Sequence, residues 1–144
     1  MQGERCFDYE EHTADVIVLA WGKTLERAFE CAAEGVTEIM VDRSSLNEKD
    51  EKRIIVAGFD LENLLYRWIE EILFLFDSQR FLMKRAKIEK LVLDNDFYLE
   101  AELKGEIFDP KKHEQRTHVK AVTYSLMSIV KDNDLWKIKF TVDI

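Results

Sequence analysis

Residues 15–40, DVIVLAWGKTLERAFECAAEGVTEIM, decide the fold because they join an apolar strand directly to an amphipathic helix. The unbroken apolar run at 16–21 predicts a strand that is covered on both faces. Gly22 ends this strand, and Thr24 is a typical N-cap residue for the helix that follows. Up to Met40, apolar residues then recur every three or four positions, which predicts one wide buried helix face.

The segments on either side of this stretch show the same two periodicities. Residues 5–10 predict a short edge strand, and residues 52–58 predict a further strand. Asp60 is a typical N-cap for a second helix, whose apolar face extends from Leu61 to Phe76. This face is broader than that of the first helix, so the second helix is predicted to lie centrally in the core.

Beyond residue 80 the apolar period changes to two, which is typical of antiparallel strands. Turn sequences at 94–96 and 131–134 divide this part into two hairpins. We therefore predict an α+β fold with two main helices packed on a mostly antiparallel sheet, a mixed sheet remaining open. No linker or repeat interrupts the chain, so residues 1–144 are predicted to form a single domain.

Composition and cysteine content place the chain in a broad class. Apolar residues make up 47% and charged residues 35%, which is typical of a globular protein, and no stretch is long enough to span a membrane. The N-terminal residues are charged, which predicts no signal peptide. Cys6 and Cys31 form no CxxC motif and indicate no disulfide framework, so we expect a reduced protein in the cytoplasm.

The charge balance argues against one class of partner. The formal net charge is -8, whereas proteins that bind nucleic acid without sequence preference carry surplus Lys and Arg. Direct, non-specific binding of RNA or DNA is therefore not expected. The only extended basic stretch, residues 110–120, is interpreted as a solvated loop.

Three aspartates stand at the ends of predicted elements. Asp15 opens a strand, Asp42 follows the first helix, and Asp143 is next to the α-carboxylate of Ile144. Clustered carboxylates are the ligands that hard divalent cations prefer. The sequence alone does not bring these residues together, and each acid also has a structural explanation as a turn, helix-end or ion-pair residue.

Other site chemistries have little support. His113 and His118 are five residues apart, a spacing that does not place two zinc ligands on one helix face. The chain has no GxSxG nucleophile motif, no GxxxxGK[ST] loop and no GxGxxG loop. A small metal-dependent hydrolase acting alone would also need a general base, which the sequence does not identify.

Several blocks of sequence together resemble the archease family over essentially the whole chain. They are EHTADVIVLAWGKTLERAFECAAEGVTEIMVD (11–42), LLYRWIEEILFLFDSQRF (64–81), GEIFDPKKHE (105–114), VKAVTY (119–124) and the final VDI. The HTAD block, the second-helix block and KAVTY are each specific. In one position the chain departs from the pattern, because Ser125 stands where the family usually has histidine after KAVTY.

The resemblance implies a function and a site. Archeases are accessory proteins, not enzymes, that help the RNA-splicing ligase of tRNA splicing to become guanylylated and to turn over repeatedly. By position, the family's acidic metal site would use Asp15, Asp42, Asp143 and the Ile144 carboxylate. Calcium is the expected ion, with magnesium or manganese as alternatives.

His12 and Lys120 are expected to contact or activate the partner in this interpretation. The alternative hypothesis is a general protein-binding or chaperone-like module, in which the acids are structural and no metal is required.

Overall fold

The strands and helices follow the predicted order closely. The structure is a computed structural model that describes residues 5–144. The prediction that there is no signal peptide partly concerns residues 1–4, which lie outside this range. In chain order the elements are β1 (Phe7–Glu11), β2 (Asp15–Gly22), α1 (Leu25–Met40), a 3₁₀ turn (Arg43–Ser45), β3 (Asp50–Gly58), α2 (Leu61–Gln79), β4 (Phe81–Leu93), β5 (Phe97–Ile107), β6 (Ala121–Asp132) and β7 (Leu135–Asp143).

The strands form two antiparallel sheets. One has the order β1-β2-β7-β6 and the other the order β3-β5-β4. The predicted α+β class, with antiparallel pairing and two helices, is confirmed. The separation into two sheets was not predicted, because alternation of apolar residues identifies a strand but not its neighbours.

The two helices pack against strands of both sheets, so the core lies around them. Residues 31–37 of α1 are all buried, which means that this part of the helix is covered on every side. A Cβ atom on Gly35 would lie 3.2 Å from the Phe7 side chain, so this glycine permits the close approach of β1. The Trp68 indole in α2 donates a 2.8 Å hydrogen bond to the Phe29 carbonyl in α1 and thereby joins the helices.

Both predicted N-caps are present. The Thr24 hydroxyl accepts a hydrogen bond from the Arg27 amide, and the Asp60 carboxylate accepts one from the Asn63 amide. These bonds satisfy helix donors that have no partner within the helix. No helix within residues 5–144 is both long enough and apolar enough to cross a membrane.

The prediction that both faces of β2 are covered is only partly correct. Val16, Ile17 and Val18 are buried, but Leu19 and Trp21 on the outer face remain half-exposed. The helices cover only the inner face of this sheet. On the outer face, the hydroxyl of Thr141, which lies opposite Ile17 in the ladder, donates a hydrogen bond to the Ser125 carbonyl in the irregular part of β6.

The expectation of two unpaired cysteines is wrong. Cys6, which precedes β1, and Cys31 in α1 form a disulfide. Their sequence spacing gives no signal for this bond, because the contact depends on β1 packing against α1. The bond ties the edge strand β1 to the central part of the molecule.

Candidate metal centre

Asp15 and Asp143 lie directly opposite each other at one end of the β2–β7 ladder. Opposite residues in an antiparallel pair share one face of the sheet, with Cα atoms about 4.5–5.5 Å apart. Asp15 is half-buried and Asp143 is exposed. The two carboxylates therefore emerge together at the sheet end, although they come from opposite ends of the chain.

The chain end is held beside this pair. The Ile144 amide donates a 3.1 Å hydrogen bond to the Ala14 carbonyl, which places the terminal residue next to the start of β2. On the other side, the Lys120 amide donates a 2.8 Å hydrogen bond to the Asp143 carbonyl. These two hydrogen bonds hold the backbone on both sides of Asp143. Ile144, whose α-carboxylate is the third predicted oxygen ligand, therefore lies in the same region.

Asp42 follows α1 and caps the 3₁₀ turn. Its carboxylate accepts hydrogen bonds from the amide and the hydroxyl of Ser44, at 3.0 and 2.7 Å. These bonds lower the pKa of Asp42, and the Arg116 guanidinium, 3.9 Å away, acts in the same direction. The carboxylate therefore remains ionised at neutral pH, but its hydrogen-bonding capacity is already partly used.

A short segment of chain links the end of α1 to the pair of acids. The Thr117 amide donates a hydrogen bond to the Ile39 carbonyl, and the Lys120 amide donates one to Asp143. The three residues from Thr117 to Lys120 can span at most about 11 Å. The last turn of α1 therefore lies in the same part of the molecule as the chain end. Nevertheless, no three His, Cys, Asp or Glu side chains among residues 5–144 form a group that could hold a metal ion.

The sequence-predicted ligands are thus brought together to different degrees. The structure pairs Asp15 with Asp143 and places Ile144 beside them. Among residues 5–144, Asp42 does not form a group of three potential ligand side chains with them. Within the same range, neither Asp15 nor Asp143 takes part in an ion pair with a basic side chain.

The two residues predicted to contact a partner lie close to this region. His12 is exposed in the turn before β2, where its amide donates a 3.0 Å hydrogen bond to the Asp15 carbonyl. Lys120 is exposed, and its side chain lines a groove with Tyr66 and Phe74 of α2. Both side chains are accessible beside the paired acids.

The residue at the departure from the family pattern lies in an irregular part of β6. Pairing between β6 and β7 is interrupted between Thr123 and Ser128. Ser125 is exposed there, and its carbonyl accepts a 2.7 Å hydrogen bond from the Thr141 hydroxyl. The Ser125 hydroxyl makes no hydrogen bond among the described residues, so a histidine at this position would reach solvent or a partner.

Sequence reasoning missed a buried ionic network around Glu106, which Lys112 and His113 of the 110–120 segment join. The rest of this segment is mostly exposed, as the interpretation as a solvated loop predicts. His113 is buried, and its Nε2 lies 3.0 Å from Oε2 of Glu106. The Asp109 amide donates to Nδ1 of His113, so Nε2 carries the proton and donates to Glu106. The resemblance block GEIFDPKKHE contains all three residues, but no periodicity in it indicates a buried carboxylate.

Glu106 is the centre of this network. Burial raises the pKa of Glu106, but hydrogen bonds from Lys112, the Asn47 amide and His113 outweigh it and lower the pKa to about 2. The network fixes the loop after β5 onto the segment that follows the 3₁₀ turn. It is therefore structural, and it positions the chain that leads to Lys120.

Comparison with known proteins gives a consistent result. The sequence model described as the Archease protein family matches residues 7–144. The protein archease of Aeropyrum pernix is 44% identical over 137 residues, which cover 94% of this chain and 95% of the relative. The protein archease of Sulfurisphaera tokodaii is 43% identical over 138 residues, covering 96% and 98%.

Solved structures show the same fold. The solution structure of a Methanobacterium thermoautotrophicum protein has a TM-score of 0.83 and 32% identity, and it covers 98% of this chain and 100% of its own. A crystal structure from Thermotoga maritima, described as an archease and possible chaperone, has a TM-score of 0.58. Its identity is 22%, with 94% of each chain covered, so it supports the fold alone.

Proposed function

Because this chain belongs to the archease family, we propose that it is a non-catalytic activator of the RNA-splicing ligase in tRNA splicing and RNA repair. In this role it promotes guanylylation and repeated turnover of a ligase that joins 3′-phosphate or 2′,3′-cyclic phosphate ends to 5′-hydroxyl ends. The observation that carries the proposal is the pairing of Asp15 with Asp143 beside the chain end.

The electrostatics of this pair favour a bound divalent cation. Like charges directly opposite each other in a sheet are destabilising by roughly 0.2–1 kcal/mol. No basic side chain within residues 5–144 forms an ion pair with either acid, so a cation between the carboxylates would replace repulsion by attraction. Asp15, Asp143 and the Ile144 carboxylate would hold the ion, with Asp42 as the fourth predicted ligand.

The ligand chemistry restricts the identity of the ion. All the donors are carboxylate oxygens, which favour calcium, magnesium or manganese over zinc. Calcium is proposed first because it accepts irregular oxygen coordination, whereas magnesium demands a near-octahedral set. When bound, the ion supplies positive charge that can bind a phosphate oxygen at the ligase.

The charge of the chain is consistent with action on an enzyme rather than on RNA. A net charge of -8 opposes direct binding to a phosphate backbone, but the ligase already holds the RNA. His12 and Lys120 are exposed on either side of the acids and are proposed to contact the ligase. The proposal places the protein in the cytoplasm, where disulfides such as Cys6–Cys31 are rare outside hyperthermophiles.

Multiple-turnover ligation with the cognate ligase tests the proposal. With limiting ligase, wild type should support many turnovers, whereas Asp15→Ala and Asp143→Ala should support about one. Asp134→Ala is the matched control, because Asp134 is an exposed acid in the turn at the opposite end of β7. If both variants at the paired acids support as many turnovers as wild type, the mechanism is wrong.

Titration calorimetry separates metal binding from activation. Wild type should bind calcium, magnesium or manganese, and Asp15→Ala should lose most of that affinity. The Asp42→Asn variant decides whether Asp42 is a ligand. Asparagine retains the capping hydrogen bond from the Ser44 amide but not the negative charge.

The alternative hypothesis is a chaperone-like module, and one observation favours it. Large apolar side chains remain exposed, among them Ile55 at 72%, Phe59 at 76% and Leu126 at 60%. Suppression of the aggregation of unrelated unfolded proteins, in the presence of chelator, would support this function.

A further inference from the structure

One sheet edge in this molecule is unlike the other three. β3 is hydrogen-bonded only to β5 among the described residues, and the nine residue pairs of this ladder are free of register shifts. The half of β3 from Ile54 to Gly58 carries no charged residue. Residues 50–53 of β3 are all charged, but residues 54–58 form a regular, uncharged edge segment, of the kind that can accept a further strand.

The other edges carry the features by which proteins prevent such pairing. β1 is only five residues long, and three of them are acidic. β4 is interrupted by two register shifts, between Met83 and Arg85 and between Ile88 and Lys90. β6 is interrupted between Thr123 and Ser128. These three edges carry blocking features, whereas residues 54–58 of β3 carry none of them and remain open to pairing.

Helix α2 forms a second wall beside this edge. A groove of about 600 Å³ lies between Ile55–Ala57 of β3 and the outer face of α2. Its apolar contacts are supplied by Ile55, 72% exposed, and Phe74, 56% exposed. The groove thus combines free backbone groups of a strand with two large side chains available for contact.

We propose that an extended segment of the partner ligase adds as a strand to the free edge of β3 and lies in this groove. The inference rests on the proposed function, since the ligase is the partner named there. Backbone hydrogen bonds along β3 would provide affinity. Every second side chain of the segment would pack against Ile55 and Phe74, and these contacts would provide specificity.

The charge of the groove indicates a basic segment. Glu70 and Glu71 line the helix wall, and Arg67 forms an ion pair with Glu70 at 3.0 Å. Glu71 forms no ion pair within residues 5–144. Enzymes that hold RNA present Lys and Arg to its phosphates, which makes a basic segment on the ligase chemically reasonable. A second copy of this chain would instead bring the same acids and a further net charge of -8.

The groove shares lining residues with a second groove that extends towards the proposed metal centre. Phe74 also borders a smaller groove, of about 200 Å³, that extends along α2 to Lys120 and Ala121. Ala121 is the strand neighbour of Asp143, and the Lys120 amide donates to the Asp143 carbonyl. A partner segment on the β3 edge that continued over Phe74 would approach the paired acids, so that one docking event would serve both sites.

Two charge-changing variants test the docking site. Ile55→Lys and Glu71→Lys should each raise the Kd for the purified cognate ligase about tenfold, because each places a cation opposite a basic segment. The matched controls are Val130→Lys, an exposed apolar residue of edge strand β6, and Glu114→Lys, an exposed acid in a loop. Both controls should bind within about twofold of wild type.

Hydrogen exchange provides an independent readout. Those amides of residues 54–58 that point away from β5 should exchange more slowly when the ligase is added, because strand addition gives them acceptors. Amides of residues 128–132, at the end of β6 that lies away from Lys120, should be unaffected. Unchanged exchange at residues 54–58, or wild-type affinity in both Ile55→Lys and Glu71→Lys, overturns the inference.

The remaining outcomes separate this inference from the proposed function. At saturating concentration the docking variants should still support multiple turnover, whereas Asp15→Ala should bind the ligase but fail to support it. If the docking variants bind normally while wild type activates the ligase, only the docking site is wrong. If sedimentation shows a dimer that Ile55→Lys abolishes while ligase binding is unchanged, the occupant is a second copy. If wild type does not activate the ligase, both proposals fail.

Discussion

Asp15 and Asp143 occupy opposite positions in the β2–β7 ladder, and neither has a basic ion-pair partner within residues 5–144. Two like charges in this arrangement reduce stability unless a cation is bound between them. The repulsion between these two acids therefore lowers the stability of the isolated protein. This effect can be measured in the absence of the ligase.

A divalent cation should stabilise wild type and not the variants of the paired acids. At a hundred times its Kd, a bound ion adds about 2.7 kcal/mol to the free energy of unfolding. Asp15→Asn and Asp143→Asn should abolish this gain and stabilise the chelated protein by roughly 0.2–1 kcal/mol, because the repulsion is removed. Denaturant unfolding in calcium and in chelator measures both effects. Equal stability of wild type in the two solutions would contradict a metal site here.

Reduction of the bond between Cys6 and Cys31 should destabilise the protein. The two residues are separated by 25 positions, and closing a loop of this size stabilises the native state by about 2–4 kcal/mol. Thermal melts with and without a thiol reductant should differ in wild type, whereas Cys6→Ser should melt at one temperature in both. Titration of two free thiols in the unfolded, unreduced protein would show that the bond does not form.

The stability contributed by Glu106 should disappear in acid. Its pKa lies at about 2 in the folded protein against an ordinary value of 4.5, which corresponds to about 3 kcal/mol of stabilisation. Because the folded pKa is the lower one, this contribution is complete above about pH 5 and is lost as the pH falls towards 2. The difference in free energy of unfolding between wild type and Glu106→Gln should shrink over this range. A difference that is constant from pH 6 to pH 2.5 would exclude the network as its cause.

The backbone at Leu126 should be strained in a way that glycine relieves. Leu126 has a φ of 58°, in the left-handed region, and its side chain is 60% exposed. Leu126→Gly should therefore be more stable than Leu126→Ala by about 0.5–1 kcal/mol, since alanine retains the Cβ clash. Comparing these two variants removes the effect of losing the leucine side chain. Equal stability would mean that the irregular part of β6 adopts another conformation in solution.

The sequence by itself determined the elements and their limits. Strands, helices and caps depend on residues within a few positions of each other, so the apolar periods and the N-cap residues Thr24 and Asp60 were sufficient to locate α1 and α2. The acids of the candidate site were identified from the family resemblance, because a carboxylate at a strand end has the same local signature whether it binds an ion or not.

Only the tertiary structure decided which distant residues meet. The pairing of β2 with β7, the separation of the strands into two sheets and the bond between Cys6 and Cys31 all join segments that are far apart in the chain. The open edge of β3 likewise exists only relative to its neighbours. A strand with period-two alternation can pair with any other strand that presents an apolar face. The free energy that selects the paired strand comes from packing of the whole core.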